Sequence, residues 1–594
     1  MPTYSAPVRD MKFLLNEVLD ISQYSDLPKF KDAPQDLADD ILEAAAKFAE
    51  GVLQPLNMVG DIEGCTRHDD GSVATPPGFK DAFDQFVENG WPLLGAETEY
   101  GGMNLPQVLG IAVSEMMSTA NMSFAMYPGL TRGAVEAITA GGTPEQKAKY
   151  LPKMSSCEWG GTMNLTEPHC GTDLGLLKSK AVPQADGSYK ITGEKIFISS
   201  GEHDLTDNII HMVLARIEGA PAGTKGISLF IVPKVIVNDD GSLGERNSMI
   251  CSSIEHKMGI HGNSTCTLNF DEATGFLIGE ENKGLRLMFI MMNAARLGTG
   301  MQGLCQAEAA YQNALSYAKD RLQGRSLTGP KNPDGPADPI IVHPDVRRML
   351  LEQKAFAEGA RAFLYWLSLH NTLEDVATDE AVKEKAGDYM ALLTPVAKAY
   401  VTDGGYKSAT NAQQIFGGHG YIEETGASQF VRDARIAMIY EGANGVQALD
   451  LVGRKLALHG GRPLFSFIAE LDAFIADNAR NDELAPFLDG LKDARENLNE
   501  ATTWLMENGL SNFDNAGAGS FDFLQLLGLT SMAYMWAKMA KAALAKSDSD
   551  DPFYANKLHT GRFFLARILP DAAAHLAKIK SGAEPLMAMH ADGF

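Results

Sequence analysis

Six cysteines in 594 residues (Cys65, Cys157, Cys170, Cys251, Cys266 and Cys305) form no CxxC pair and are too sparse for a disulfide framework. That usage fits a reducing, cytoplasmic setting. Positive charge is also scarce: 51 Lys and Arg stand against 76 Asp and Glu, a net of −25, and such a surface repels phosphate backbones. No nucleic-acid partner is expected. The sequence has no run of about 18 uncharged apolar residues. One of its greasiest stretches, Leu287 to Ala295, is bounded by Arg286 and Arg296, so no membrane insertion is expected. The first ten residues lack a charged segment followed by an apolar one, so no export signal is visible. Internal repeats, low-complexity tracts and metal-ligand spacings of His, Cys, Asp and Glu are missing too.

What is present suits large cores: 45% of residues are hydrophobic and 21% charged, over a length that allows three or four domains. Residues 1–160 carry apolar positions at helical spacing, as in Leu37-Ala38-Ile41-Leu42-Ala45-Phe48, and predict an N-terminal helical domain. Residues 161–277 predict a compact antiparallel β domain, with strands at 189–192, 195–199, 209–215, 227–232 and 265–270 and turns at Asp186-Gly187 and Asp240-Gly241. Residues 278–460 return to helical periodicity, with Asp345 placed to cap a helix after the Pro/Gly-rich loop 329–344. Residues 461–594 predict an additional helical domain, broken at 515–519 and 547–552. The fold class is α+β, mainly α.

Four stretches offer chemistry. In Asn164-Leu-Thr-Glu-Pro-His-Cys-Gly-Thr-Asp-Leu-Gly175, the hydroxyls of Thr166 and Thr172 and the flexible backbone at Gly171 can bind a polar ring edge or a phosphate, although a turn-rich linker has the same composition. In Gly193-Glu-Lys-Ile-Phe-Ile-Ser-Ser-Gly201, strand alternation places Phe197 and Ser199 on one face, where an aromatic ring and a hydroxyl could meet one flat ligand; an aromatic on a strand equally suits a core. In Gln413-Gln-Ile-Phe-Gly-Gly-His-Gly-Tyr421, Gly417 and Gly418 let the backbone approach a pyrophosphate, while His419 alone reads as structural. In Arg432 to Leu451, Glu441 follows an apolar run and precedes a glycine, and Asn444 with Gln447 predicts a capping-box-like helix start. A carboxylate there, beside backbone N–H groups, can act as a base next to a developing oxyanion; an isolated Glu is also a common cap or surface charge.

Taken in this order, and with Arg321-Leu-Gln-Gly as a fifth motif, the sequence resembles the acyl-CoA dehydrogenase family of flavoproteins from about residue 35 to 458. The version of the base motif, Tyr440-Glu-Gly-Ala-Asn-Gly-Val-Gln-Ala-Leu-Asp-Leu-Val-Gly-Arg-Lys, together with Glu255-His-Lys-Met-Gly-Ile-His-Gly and the extensions at both ends, resembles the long bacterial subgroup that includes 3-methylmercaptopropionyl-CoA dehydrogenases. The resemblance implies FAD as cofactor and an acyl-CoA substrate, with Glu441 removing the α-proton while a hydride leaves the β-carbon for flavin N5. It implies a raised Glu441 pKa on burial against the flavin, and a thioester carbonyl polarised by the Glu441 backbone N–H and an FAD ribityl hydroxyl. Thr166, Gly171 and Thr172 would serve the isoalloxazine and ribityl region, Phe197 would stack on the ring, and Ser199 would lie near N5. Arg321, Gln323, Gln414, Gly417 and Gly418 would grip the pyrophosphate and adenosine of the neighbouring subunit's FAD, which implies a homodimer or a dimer of dimers. Arg296 would contact CoA, and electron-transfer flavoprotein would accept the electrons.

Some relatives carry the base just before the CoA-contacting arginine, but here Ala295 stands there and cannot take a proton. Phe197 replaces the family's usual Trp, and Ala443 and Gly445 replace a Thr and a Gln, so contacts made by those side chains are not carried over. Three alternatives remain. One is a fatty acyl-CoA dehydrogenase of different chain-length preference, and another is an acyl-CoA oxidase. The third, a DNA-associated relative, needs a basic C-terminal region, whereas residues 461–594 hold 12 Lys and Arg against 18 Asp and Glu, a net of −6.

Overall fold

The β-branched texture that begins near residue 159 folds into strands, in a computed structural model that describes residues 2–509 and 511–594. In chain order the strands are β1 (Thr66–Arg67), β2 (Val73–Ala74), β3 (Trp159–Asn164), β4 (Lys180–Pro183), β5 (Tyr189–Ser199), β6 (Asn208–Ile217), β7 (Ser228–Pro233), β8 (Val235–Val237), β9 (Leu243–Arg246), β10 (Met249–Ile254) and β11 (Thr265–Ile278). β1 and β2 form a small hairpin inside the segment that the sequence reads as helical. The two strands expected at 189–192 and 195–199 are one continuous β5, and Gly187 and Gly241 take the left-handed conformation that their turns require.

The chain divides into two compact units, one built from Ala45–Leu105 and Met116–Gly298, the other from residues up to Ala44, from Pro106–Glu115 and from Thr299–Phe594. In the strand-bearing unit, β11 pairs with β5, β5 with β4, β4 with β6, β6 with β7, and β7 returns to β11. These pairings close a ring around Ala181, Ile191, Val213, Phe230 and Leu268, all fully buried. The expectation of an antiparallel domain needs correcting at β6, which runs parallel to both β3 and β4. Parallel neighbours need a long crossover, and the buried alternation of a strand does not reveal its partner's direction. A second core, with Trp159, Ile210 and Met212, packs the other side of the sheet against Ala134, Ile138, Met288 and Met291.

The second unit is helical. Its long helices include Pro344–Val376, Glu380–Phe416, Ala485–Asn508 and Phe513–Leu544. Gly303 shows why small residues recur here: a Cβ on it would sit 2.5 Å from the carbonyl oxygen of Val401, so only glycine lets the two backbones approach this closely. Two sequence expectations shift. The helix after the Pro/Gly-rich loop starts at Pro344, with Asp345 inside its first turn and paired to Arg348 at 2.9 Å rather than capping. Residues 515–519 lie within the continuous helix Phe513–Leu544, capped by Asn512 Oδ1, which accepts from the Asp514 N–H at 3.0 Å. Two glycines there do not break a helix whose other face is deeply buried. The break at 547–552 is present, with Asp551 capping a helix that opens on Pro552.

Extensions at the two chain ends meet within this unit. The Phe13 ring lies 5.2 Å from Phe553, edge-on, and Arg9 stands 4.4 Å over the Phe553 ring. Beneath them Arg361, 1% exposed, donates to Asp10, Glu115 and Glu308 at 2.7 to 2.8 Å. Lys557 donates to Asp10 and, at 2.8 Å, to Glu358. Burial alone would raise Asp10's pKa, but Lys557 and Arg361 bring its carboxyl down to about 2. Among the described residues, no helix is long and apolar enough to cross a membrane.

Candidate active site

Glu441 stands on the bend between the helices Ala427–Ile436 and Asn444–Asp450. It is half-buried and holds φ at +57°, a conformation that costs a non-glycine residue about 1–3 kcal/mol unless its surroundings enforce it. The enforcement is visible. Gln447 Nε2 donates to the carbonyl of Glu441 at 3.1 Å and to that of Gly442 at 3.2 Å. Lys398 Nζ donates to the Gly442 carbonyl at 2.8 Å, and the Tyr440 hydroxyl donates to Gln302.

The expected capping box is absent. Asn444 is the first helical residue, the N-cap is Ala443 without a side-chain bond, and Asn444 instead turns inward to the helix Glu380–Phe416. Gln447 reaches back three residues too far for a cap and clamps the base's own turn. An Asn at the start of a helix suggests a cap only when no buried partner competes for it.

On the strand-bearing unit, the Thr166 loop folds back on itself, with Glu167 and Cys170 exchanging backbone hydrogen bonds at 2.9 and 3.0 Å. A Cβ on Gly171 would meet Thr166 Cγ2 at 3.5 Å, so the two lie side by side, while Thr172 is exposed beyond them. The Ile196 N–H of β5 donates to the Thr166 carbonyl at 3.0 Å and brings the first motif to the second. The register of β5 against β11 slips there, with Cys266 opposite Ile198 but Leu268 opposite Lys195. Simple alternation therefore fails through this segment: Lys195 is fully buried, whereas Phe197, at φ +58°, is 59% exposed. A bulge that re-aims one aromatic outward at the cost of local strain is a common device beside a ligand site. Ser199, paired with Thr265, is half-buried on the same strand end.

Sequence reasoning passed over the residues that hold this corner. Glu167, 3% exposed, accepts from Lys195 Nζ at 2.9 Å, from Ser179 Oγ at 2.6 Å, and from the N–H groups of Lys178 and Ser179 at 2.8 and 3.0 Å. Lys195 also donates to the Leu165 carbonyl at 3.1 Å, so one buried ion pair fixes both motifs. Burial pushes the Lys195 pKa down to about 8 against the pull of Glu167, and Lys195 with its hydrogen-bonding neighbours holds Glu167 below the usual carboxylate range despite its own burial. A Glu and a Lys inside two short motifs were the available signal. His169 and Cys170 bring ligand atoms near the same carboxylate, but its oxygens are already taken by the four donors.

Arg321, Gln323, Gln414, Gly417 and Gly418 are all exposed. The Arg321 N–H donates to the Tyr317 carbonyl at 2.8 Å, and the Tyr317 ring stacks on Phe416 with centroids 4.5 Å apart, so the ends of two long helices bring these residues together. Cβ atoms on Gly417 and Gly418 would meet nothing within 4 Å, leaving open space at the backbone. Asp338 fixes the loop that follows Arg321: its carboxylate accepts from the N–H groups of Ser326, Lys331 and Asn332 at 2.7 to 2.9 Å, which hold its pKa down to about 2. Arg296, expected to meet CoA, is 8% exposed and donates to Asn293 at 3.3 Å.

Comparison with known proteins decides the family. The N-terminal, middle and C-terminal domain descriptions of acyl-CoA dehydrogenase match residues 36–158, 162–273 and 282–456, and a fourth, "Acetyl-CoA dehydrogenase C-terminal like", matches 467–590. A 3-methylmercaptopropionyl-CoA dehydrogenase of Ruegeria pomeroyi is 42% identical over 98% of this chain and 99% of its own. The chain belongs to the acyl-CoA dehydrogenase family. It is thereby an FAD-dependent oxidoreductase acting on acyl-CoA. A butyryl-CoA dehydrogenase of Syntrophomonas wolfei is 38% identical over 97% of each chain. The solved acyl-CoA dehydrogenase of Bacillus anthracis, complexed with FAD, shares the fold at TM-score 0.75 and 22% identity, over 94% of this chain and 90% of that one. In this acyl-CoA dehydrogenase, the exposed Phe197 face on the strand-bearing unit suits a flavin's flat ring, and on the helical unit, taken by itself, the open backbone at Gly417 and Gly418 suits a phosphate.

Proposed function

We propose that this acyl-CoA dehydrogenase converts an acyl-CoA thioester to its trans-2-enoyl-CoA with Glu441 as the base. FAD, when bound, supplies the hydride acceptor at N5. The Glu441 carboxylate removes the α-proton, and its backbone N–H donates to the thioester carbonyl, so one residue both takes the proton and steadies the oxygen that gains charge. The observation that carries this reading is the enforced left-handed turn at Glu441, pinned through its carbonyls by Gln447 and Lys398. Thr166, Gly171, Thr172 and Ser199 bind the polar edge of the flavin and Phe197 covers its ring. Arg321, Gln323, Gln414, Gly417 and Gly418 serve the FAD of a second copy, which makes a homodimer the smallest complete enzyme; their joint exposure at one end of the helical unit supports this.

Glu441→Gln keeps the shape and loses the basicity. Purified variant should retain FAD absorbance while turnover falls by at least about 100-fold; near-normal turnover removes Glu441 from the role. The full-length similarity to a 3-methylmercaptopropionyl-CoA dehydrogenase supports that compound as substrate. Turnover of butanoyl-, octanoyl-, palmitoyl- and 3-methylmercaptopropionyl-CoA with an artificial acceptor tests it, and a preference for palmitoyl-CoA refutes it. Electron-transfer flavoprotein is the proposed acceptor and the cytoplasm the proposed setting, in keeping with six free cysteines, five of them buried. Rapid hydrogen peroxide formation in air without an acceptor would instead make the chain an oxidase.

A further inference from the structure

The additional C-terminal domain reaches the catalytic turn through side chains. In the helix Phe513–Leu544, Gln525 Nε2 donates to Asp403 Oδ2 at 2.8 Å. Asp403 Oδ1 accepts from Asn444 Nδ2 at 2.7 Å, and Asn444 Oδ1 accepts from Lys398 Nζ at 2.8 Å. Lys398 Nζ, fully buried, then donates to the carbonyl of Gly442, the residue after Glu441. Donor and acceptor roles leave no freedom along this line. A carboxylate only accepts, so Asn444 must present its NH2 to Asp403, where Thr402 Oγ1 and the Ala399 carbonyl also lie at 3.0 and 3.2 Å, and its oxygen must face the ammonium.

We propose that Gln525, Asp403, Asn444 and Lys398 are positioning residues through which the additional C-terminal domain sets the approach of Glu441 to the substrate α-carbon; the proposal rests on Glu441 being the base. Without Lys398 the Gly442 carbonyl keeps the longer contact from the amide of Gln447, at 3.2 Å. A charge-assisted bond is the stronger restraint. Without Gln525, Asp403 loses the donor that the C-terminal domain supplies and Asn444 loses its anchored partner.

Misplacement of a reacting group by about 1 Å can cost about 100-fold in rate, which bounds Lys398→Met, and Gln525→Met at the far end of the line should lower kcat by about 3- to 10-fold. The decisive measurement is made on FAD-loaded full-length Gln525→Met: kcat falls, KM stays within about twofold, FAD content is unchanged, and the isotope effect with α-dideuterated substrate increases because proton removal has become slower. Unchanged kcat and isotope effect overturn the proposal. So does a lower kcat accompanied by FAD loss or a raised KM at an unchanged isotope effect, since that marks a merely structural role. If Lys398→Met does not fold, Gln525→Met alone still decides. Glu441→Gln run alongside separates the two readings: if it is inactive while Gln525→Met behaves as wild type, only the positioning line is wrong, whereas an active Glu441→Gln removes the base itself.

Discussion

His261 should be an imidazolium at neutral pH, and its loss should make stability depend less on pH. Its Nδ1 faces the Asp61 carbonyl at 2.8 Å and an Asp61 carboxylate oxygen at 3.0 Å, while Nε2 faces the Lys257 carbonyl at 2.8 Å. Every one of these groups accepts, so both ring nitrogens carry a proton. Asp61 also lies in the last turns of the helix Asn57–Glu63, where the helix dipole favours a cation. The bond to the Asp61 side chain, working against burial, raises the His261 pKa from 6.5 to about 9. At about 1.4 kcal/mol per unit that shift is about 3 kcal/mol, which a side chain 30% exposed to solvent reduces to about 2. Because the folded pKa is the higher one, this contribution is fully present below pH 6.5 and disappears as pH rises through about 9. Urea midpoints of wild type and His261→Gln, followed by tryptophan fluorescence, should differ by the equivalent of about 2 kcal/mol at pH 6 and nearly converge at pH 9.5. A gap that stays constant across that range, or an imidazole that titrates near 6.5 by NMR, refutes the charged assignment.

Lys195→Met should leave Glu167 as an uncompensated buried carboxylate, destabilising the strand-bearing unit by about 3 kcal/mol and weakening FAD binding; Glu167→Gln combined with Lys195→Met should recover most of the stability. Equal FAD affinity in the single variant and wild type, by fluorescence titration, would show that the pair does not position the flavin motifs. Lys557→Met should cost about 3 kcal/mol by leaving Asp10 to Arg361 alone and Glu358 to Lys354 alone, read as a lowered thermal midpoint, and a change below about 1 kcal/mol would show that Lys557 is dispensable to the buried network.

The residues proposed to meet ligand were the readable part of this sequence, because their chemistry depends on local order: a carboxylate before a glycine at Glu441, paired glycines at 417 and 418, hydroxyls around Gly171. The residues that hold them were not. Lys398 reaches Gly442 and Asn444 across more than forty positions, and Glu167 meets Lys195 across 28, pairings that only the packed interior specifies. The buried lysines read as ordinary helix and strand positions until their partners are seen. Alternation misled at Phe197, where a bulge overrides the period of two that would have put it with Lys195. Glycine content misled at 515–519, where tertiary burial outweighs propensity. The helical and β segments were legible from periodicity, whereas the parallel placement of β6 was not, since a strand's pattern records burial and not direction.

The bond between Lys557 and Asp10 spans 547 residues. At a ribosome's roughly 5–20 residues per second, Asp10 emerges about half a minute to two minutes before the lysine that neutralises it. The strand-bearing unit has all its residues once Gly298 is made, and can fold on the nascent chain. The helical unit is short of one buried cation until the last domain is synthesised: Asp10 has Arg361 and Glu358 has Lys354, but both still lack Lys557. The charge balance of its interior thus waits on a lysine that only the last domain supplies.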